Sequence, residues 1–368
     1  MRVTIEKQQL HRELGLVQTV VERRAVIPVL TYVRMEVTDH GVIFTGTDLD
    51  TSLRAWCEAR ETEPGVVCLP ARKLGEIVRL LPDEPVVFEG DETRVTLRCG
   101  RARFRLAPHP VENFPEVPTF PDREARSLPA EVLGRAIERV IFATSLEESR
   151  YTLSGVQMEW WDGGFRLVAT DGHRLALVDS SSGAVPVERS ACLIHRKTMQ
   201  ELLRLIEHAE GDEEVQFAQD AHHVYFRVGG RELISRLLTG QFPNYELVIP
   251  KEHGVRARVD AALFRDACRR VVTLADERSR GITLSFSGGG LTLTARTAQG
   301  DEEAVEEMLC ETDGEPLVIA FNGEYLLDFF DVVREGMVEV GLKDAQSPAL
   351  WRPVGEPYVY VVMPMRLM

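Results

Sequence analysis

One short segment carries side chains whose types and spacing could do chemistry: Thr170-Asp171-Gly172-His173-Arg174. An aspartate and a histidine this close together could act as a general base and a general acid. Side chains so near in sequence usually point apart, however, and no GxSxG sequence supplies a nucleophile beside them. A hydrolase that uses Asp171 and His173 therefore remains only as an alternative interpretation.

The rest of the sequence lacks the usual motifs of catalysis and metal binding. It contains no Gly-Lys dipeptide, and hence no P-loop, so any ATP-driven step would come from another protein. There is no HExxH sequence, and the six cysteines are scattered without a CxxC pair. We therefore expect no metal, no cofactor and buried, reduced thiols.

The elements that position these side chains recur three times along the chain. A glycine-started strand pattern begins at Gly41, Gly164 and Gly290, and each copy runs into a polar turn. An earlier helix has apolar positions at i, i+4 and i+7, and a later helix has them at i, i+3, i+4 and i+7. The early set is Leu10/Leu14/Val17, Leu133/Ile137/Val140 and Phe264/Cys268/Val271; the later set is Leu74/Ile77/Val78/Leu81, Met199/Leu202/Leu203/Ile206 and Leu326/Phe329/Phe330/Val333.

The repeat predicts three similar α+β domains, each with two helices packed on sheets. Proline and charged residues cluster at Pro118–Asp122 and Pro250–Gly254, so we place the domains at residues 1–122, 123–250 and 251–368. The first residues, MRVTIEKQQL, have no apolar h-region and no cleavage site, and the 368 residues contain no uninterrupted apolar run near 18 residues, so we expect neither secretion nor a membrane span. A cytoplasmic protein that does not enter a membrane is expected.

The charge balance is acidic, with a formal net charge of -15. That balance disfavours DNA binding unless the cations converge on one surface, because phosphate neutralisation is local. Arginine and lysine do concentrate on or beside the repeated helices. The later helix of the third copy is an exception, since it carries Glu324, Asp328 and Asp331 beside Arg334.

Six segments in order resemble the bacterial beta clamp of the replicative DNA polymerase, and together they span essentially the whole chain. They are TGTDLD (Thr45–Asp50), LPARKL (Leu69–Leu74), ATDGHRLA (Ala169–Ala176), QFPNYELVIP (Gln241–Pro250), LADERSRG (Leu274–Gly281) and YVVMPMRL (Tyr360–Leu367). The resemblance implies three domains with two helices and antiparallel sheets each, and two protomers closed head to tail in a ring around duplex DNA. It implies no catalytic activity.

The resemblance also implies three sets of site residues. Partner peptides from the polymerase, the clamp loader and repair proteins would bind at Leu153, Thr170, Gly172, His173, Arg174, Leu175, Pro243, Leu247, Val248, Val361, Met363, Pro364, Met365, Arg366 and Leu367. Sequence-independent contacts to the DNA backbone would come from Arg24, Arg72, Arg150, Tyr151, Arg196, Lys197, Arg278 and Arg280. The homodimer contact would join Arg101, Arg103, Phe104 and Arg105 to Thr273, Leu274, Glu302, Glu303 and Glu306.

The sequence departs from the family pattern at three places near the peptide site. Leu247 stands where many relatives carry a basic residue, Gln241 stands where arginine is usual, and Met368 extends the chain past the usual leucine. These departures bear on peptide preference. A peptide-binding adaptor that never meets DNA is the other alternative that the sequence leaves open.

Overall fold

The computed structural model describes residues 1–122, 125–147, 149–161, 163–181, 190–209, 213–297 and 299–366. These residues form six α-helices and 26 β-strands, and every strand pair is antiparallel. The helices are α1 (Lys7–Val17), α2 (Ala71–Leu80), α3 (Ala130–Ile141), α4 (Arg196–Glu207), α5 (Ala261–Val272) and α6 (Gly323–Val332).

The strands follow one another in short hairpins. The first ten are β1 (Arg2–Ile5), β2 (Tyr32–Thr38), β3 (Gly41–Thr47), β4 (Thr51–Glu58), β5 (Arg60–Glu63), β6 (Gly65–Pro70), β7 (Val86–Gly90), β8 (Val95–Cys99), β9 (Ala102–Leu106) and β10 (Arg126–Pro129). The next seven are β11 (Gly155–Trp161), β12 (Gly164–Thr170), β13 (Arg174–Ser181), β14 (Ser190–His195), β15 (Glu214–Gln219), β16 (His223–Val228) and β17 (Arg231–Arg236). The last nine are β18 (Val255–Asp260), β19 (Gly281–Ser287), β20 (Gly290–Arg296), β21 (Glu303–Leu309), β22 (Glu311–Asp313), β23 (Leu317–Asn322), β24 (Met337–Leu342), β25 (Ala349–Pro353) and β26 (Tyr358–Val362).

The element order confirms the threefold repeat. Each copy begins with a strand, a helix and a three-strand meander, and it ends with a second helix and a final three-strand meander. Between these two parts lie two strands in copies one and three and one strand in copy two. The glycine-started strands are β3, β12 and β20, and each lies in the middle of its meander. All six predicted helices are present, and four bury the whole predicted apolar stripe; in α2 one stripe residue, Ile77, is only half-buried.

The stripe of α4 differs from the prediction. Met199, Leu202 and Leu205 are buried, whereas Leu203 and Ile206 are only half-buried. Ile206 lies instead against Gly134 of α3. The Cγ2 of Ile206 is 3.3 Å from the position that a Cβ on Gly134 would occupy. The close approach of a second helix therefore sets which face of α4 faces the sheet, and spacing alone does not reveal that.

The chain forms two compact units. The first comprises residues 1–134 and 197–237, and it contains a five-stranded sheet in the order β5-β1-β7-β8-β9 and an eight-stranded sheet in the order β10-β15-β16-β17-β4-β3-β2-β6. Helix α1 packs on β3 and β4 over a core that includes Val42 and Phe44. Glu13 of α1 accepts two hydrogen bonds of 2.8 Å from the buried Arg231 of β17.

The second unit comprises residues 135–196 and 238–368. It contains a nine-stranded sheet in the order β14-β11-β12-β13-β26-β25-β24-β18-β22 and a four-stranded sheet in the order β21-β20-β19-β23. Helices α5 and α6 pack together through the stacked rings of Phe264 and Phe330, whose centroids are 4.4 Å apart. The pairing of β13 with β26 brings the Thr170–Arg174 turn beside the chain's C-terminal segment.

Two negative findings apply to the part of the chain that the structure describes. Its helices are all too short or too polar to cross a membrane. Nor do those residues contain a group of three or more histidine, cysteine, aspartate or glutamate side chains placed to hold a metal ion.

Candidate functional site

The Thr170–Arg174 turn, between β12 and β13, is held by its own side chains. The hydroxyl of Thr170 donates to the carbonyl of Arg174 at 2.6 Å and accepts from the Gly172 N–H at 3.1 Å. Asp171 Oδ1 accepts from the N–H groups of His173 and Arg174 at 2.9 and 3.0 Å. Gly172 has a φ of +90°, which favours glycine. The Asp171 carboxylate therefore stabilises a turn, and it does not form the Asp–His pair that hydrolysis would need.

Arg174 is the most connected side chain of this turn. Its Nε donates to Asp171 Oδ2 at 3.0 Å, Nη2 donates to the carbonyl of Phe142 at 2.7 Å, and Nη1 forms an ion pair with Asp328 of α6. Its guanidinium also lies 4.3 Å from the centre of the Tyr325 ring. All three nitrogen atoms are thus used inside the protein, and Arg174 fixes the turn against α6.

The charge of Arg174 is retained despite its burial. Burial alone lowers the pKa of Arg174, but the Tyr360 hydroxyl and the carboxylates of Asp328 and Asp171 outweigh that effect, so the net pKa lies above its ordinary value. Asp328 is one of the acidic residues that broke the cationic pattern in the sequence. The structure gives it a local role, as the partner of the turn.

A cavity of about 170 Å³ opens beside this turn, and we call it the apolar cavity. Its lining comprises Leu153, Thr170, Gly172, His173, Arg174, Leu175, Pro243, Tyr245, Val248, Val361 and Met363. Leu175, Tyr245 and Val361 also belong to a buried cluster that continues into the core of the second unit. The floor is therefore buried, whereas Met363 and Val248 at the rim are exposed.

Most of the predicted peptide-site residues lie together here, and a few do not. Ten of them line the apolar cavity, and Tyr245 is a lining residue that the sequence did not single out. Leu247 is 84% exposed and lies outside the lining, as do Pro364 and Arg366. Met365 donates its N–H to the carbonyl of Ala320 at 2.7 Å, and Leu367 lies outside the described residues.

The cavity's size and wall limit what it can hold. Pockets for drug-sized ligands measure roughly 300–1,000 Å³, so this one suits one or two apolar side chains rather than a cofactor. The His173 carbonyl accepts from the Met363 N–H at 2.8 Å, which ties the C-terminal segment to the turn. A buried apolar floor with a flexible methionine at the rim can accept side chains of more than one shape.

The predicted DNA contacts lie on the surface of both units. Arg24 and Arg72 are exposed in the first unit, and Arg72 forms an ion pair with Glu76 at 2.9 Å. Lys197 pairs with Asp48 there. In the second unit Arg150 donates to the Asp171 carbonyl at 2.9 Å, beside the apolar cavity. The remaining four of this set are half-buried or exposed: Tyr151, Arg196, Arg278 and Arg280.

The predicted dimer contacts lie on two edge strands. Arg103, Phe104 and Arg105 belong to β9, the last strand of the five-stranded sheet, and Arg101 immediately precedes it. Glu303 and Glu306 belong to β21, the first strand of the four-stranded sheet, and Glu302 immediately precedes it. Thr273 and Leu274 follow α5, which packs on β21. Glu306 pairs with Arg270 and Glu303 with Arg296, so part of this acidic charge is matched within the chain.

The fold and cavity define a repeat-built α+β protein with a preformed binding cavity on its second unit. Three family models match the chain: the N-terminal, central and C-terminal domains of the DNA polymerase III beta subunit, over residues 1–118, 127–244 and 246–366. The chain therefore belongs to the DNA polymerase III beta subunit family.

Full-length relatives and solved structures agree with this assignment. Beta sliding clamps of Pseudomonas putida and Caulobacter vibrioides are each 37% identical, with all of both chains covered. The crystal structure of the Pseudomonas aeruginosa DnaN sliding clamp bound to griselimycin matches with a TM-score of 0.94 at 37% identity, again over all of both chains. The Bacillus subtilis sliding clamp matches with a TM-score of 0.95 at 28% identity and equal coverage. The chain is a DNA sliding clamp, a non-catalytic processivity factor of DNA replication.

Proposed function

We propose that two copies of this chain close head to tail into a ring that encircles duplex DNA. The ring slides along the duplex and tethers the replicative polymerase, which the apolar cavity holds through a short peptide. The clamp domains we propose are residues 1–122, 123–250 and 251–368, and the compartment is the cytoplasm.

The proposed ring rests on a pattern of strand pairing that occurs twice within the chain. In copy one the first meander ends with β4, and β4 pairs with β17, the last strand of copy two. The equivalent strand of copy two, β13, pairs in the same way with the last strand of copy three, β26. Among the described residues, two strands in these positions lack such a partner: β21, which ends the first meander of copy three, and β9, which ends copy one. If β21 of one copy pairs with β9 of another, the pattern is completed and both edges are covered.

Charge supports the same pairing. The β9 segment presents Arg101, Arg103 and Arg105, whereas the β21 segment presents Glu302, Glu303 and Glu306. Unlike charges would attract across the contact, and two copies of the same end would repel each other. Head-to-tail closure therefore follows in preference to head-to-head closure.

The DNA contacts we propose are weak and numerous. Arg24, Arg72, Arg150, Tyr151, Arg196, Lys197, Arg278 and Arg280 would touch phosphates, which position a protein without reading bases. A protein that slides along DNA does not benefit from high affinity for it, and a closed ring does not need high affinity to stay on the duplex. Retention then depends on ring closure, and loading depends on a partner that uses ATP.

The apolar cavity is the site we propose for partner peptides. Its buried floor offers a fixed place for an apolar anchor, while the exposed Met363 and Val248 can adjust to different ligands. The clamp loader, other polymerases and repair proteins would compete for the same cavity. This explains how one clamp serves several partners in turn.

Primer extension on a primed circular template tests this function. With the polymerase and loader of the same organism and an excess of trap DNA, we expect long products from a single binding event only when the chain is present. Met363→Asp places a charge at the rim of the apolar cavity, and the products should then shorten. Met337→Asp is the matched control, because Met363 and Met337 are 39% and 40% exposed and Met337 lies outside the cavity.

Two results would contradict the proposal. Product lengths that do not change when the chain is added would exclude a processivity factor. Equal loss with Met363→Asp and Met337→Asp would show that the apolar cavity is not the tether.

A further inference from the structure

A second cavity, of about 560 Å³, shares a wall with the apolar cavity; we call it the Trp161 cavity. It is lined by Glu159, Trp160, Trp161, Arg166, Ser190, Ala191, Asn244, Tyr245 and Glu246. Tyr245 lines both cavities, Pro243 and Val248 line only the apolar cavity, and Asn244 and Glu246 line only the Trp161 cavity. One short segment, residues 243–248, is therefore the ridge between them.

The cation of the Trp161 cavity is already neutralised. Arg166 makes a bidentate pair with Asp179, with Nε to Oδ1 at 2.6 Å and Nη2 to Oδ2 at 2.9 Å. Its Nη1 donates to the Tyr245 hydroxyl at 3.1 Å. The bidentate pair with Asp179 compensates the charge of Arg166, so this arginine does not make the cavity a site for anions.

The two carboxylates of the cavity are not neutralised in this way. Glu159 accepts only from the Tyr245 hydroxyl, at 3.0 and 3.1 Å, and no cation in the described residues lies within 4 Å of it. Glu246, on the exposed ridge, likewise has no ion-pair partner among the described residues. With Asp179 and Arg166 cancelling, the described residues of the cavity leave an excess of two negative charges beside the ring of Trp161.

We propose that the Trp161 cavity binds a lysine or arginine side chain that flanks the apolar anchor of a partner peptide. This inference rests on the proposed peptide-binding function of the apolar cavity. A peptide anchored there needs only to cross the 243–248 ridge, since an extended chain advances roughly 3.3–3.6 Å per residue. The cation then meets Glu159 and Glu246, which both line the Trp161 cavity.

The ridge explains how the two cavities act as one site. The phenol of Tyr245 packs in the buried cluster under the apolar cavity while its hydroxyl bridges Arg166 and Glu159. The position of the ridge is thus fixed from both sides. Selectivity among partners then depends on the residue beside the anchor as well as on the anchor itself.

Binding of synthetic peptides to the full-length protein, followed by fluorescence anisotropy, tests the inference. The probe is a peptide with a leucine–phenylalanine anchor and neutral flanks, compared with a series in which lysine replaces glutamine at one flanking position at a time. At one position or two adjacent positions we expect lysine to tighten binding by about three- to tenfold, as for a partly desolvated charge pair, with a smaller gain at high salt.

Two variants complete the test. In Glu159→Gln/Glu246→Gln the advantage of lysine should disappear, while the neutral peptide binds as tightly as before. Glu315→Gln, an exposed glutamate elsewhere in the second unit, is the matched control and should keep the advantage.

The outcomes separate the two proposals. If no position favours lysine, or if the advantage survives in the double variant, the inference is overturned while the peptide site stands. If the neutral peptide does not bind the unchanged protein, the peptide-site proposal fails, and the inference fails with it.

Discussion

Two buried arginines, one in each unit, use the same chemistry in different surroundings. Arg231 donates to both oxygens of Glu13 and to the His208 carbonyl at 3.1 Å, and Arg174 donates to two aspartates and to the Phe142 carbonyl. Their side chains are 9% and 10% exposed. Arg174 also lines the apolar cavity.

The difference between the two arginines shows how a buried charge can serve either the fold or a site. Arg231 links β17 to α1, so its removal should lower the stability of the first unit. Arg174 holds a turn that lines the apolar cavity, so its removal should lower the affinity of that cavity for a ligand.

The largest expected effect is on stability in the first unit. Arg231→Met leaves Glu13, whose side chain is 3% exposed, without its main partner. Removing one member of a buried ion pair typically costs about 3–5 kcal/mol. Chemical denaturation followed by circular dichroism should show a loss of this order, whereas the peptide affinity of the folded fraction should not change. A variant as stable as the unchanged protein would show that the pair is dispensable.

The next effect is on binding in the second unit. Asp328→Asn removes a charge that holds Arg174 in place. The peptide affinity of the apolar cavity should then fall on the order of tenfold. Hydrogen bonds to charged groups contribute ~1.5–3 kcal/mol, and part of that free energy is lost from peptide binding. Asp331→Asn is the matched control, because Asp331 lies on the same helix and pairs with Arg269 instead. Equal affinities for the two variants would contradict the role given to Asp328.

A smaller effect is expected from acid. Burial alone raises the pKa of Glu13, but the hydrogen bonds and charges of Arg231 and Arg12 outweigh it, so the pKa lies below its ordinary value of 4.5. A lowered pKa in the folded state stabilises the protein above the unfolded value, and that stabilisation is lost as the pH falls below about 4.5. The stability gap between the unchanged protein and Glu13→Gln should therefore narrow between pH 6 and pH 3. A gap that stays constant would contradict the lowered pKa.

The smallest effect is expected from the proposed DNA contacts. Arg72→Ala should lower the slope of log affinity for linear duplex against log salt by about one unit, because one phosphate contact is removed. Arg98→Ala, an exposed arginine of β8 outside the proposed set, should leave the slope unchanged. If both variants leave it unchanged, Arg72 does not contact DNA.

The sequence predicts the repeat from its local pattern, and it predicts most of the cavity through the resemblance to a known family. The glycine-started strands and the six helices are evident from periodicity. The cavity residues of the 170–175 turn and of the C-terminal segment were predicted from motifs. Tyr245 was not singled out, although it lies inside the QFPNYELVIP segment, since nothing in a linear pattern distinguishes a wall residue from its neighbours.

Long-range pairings are what the sequence does not reveal. Arg174 and Asp328 are 154 positions apart, and Glu13 and Arg231 are 218 positions apart. Which acid meets which arginine depends on how β13 pairs with β26 and how β17 pairs with β4. The same limit explains α4, where a contact with Gly134 shifts the buried stripe.

The central claim is that a closed ring, rather than a tight grip, holds this protein on DNA. The direct measurement is retention on nicked circular DNA after loading with ATP and the matching loader, followed by a single cut of the circle. The account predicts that the protein stays on the circle and is lost after the cut, even at a salt concentration that abolishes binding to short linear duplex. Equal retention on circular and cut DNA would contradict the ring and would indicate ordinary electrostatic binding.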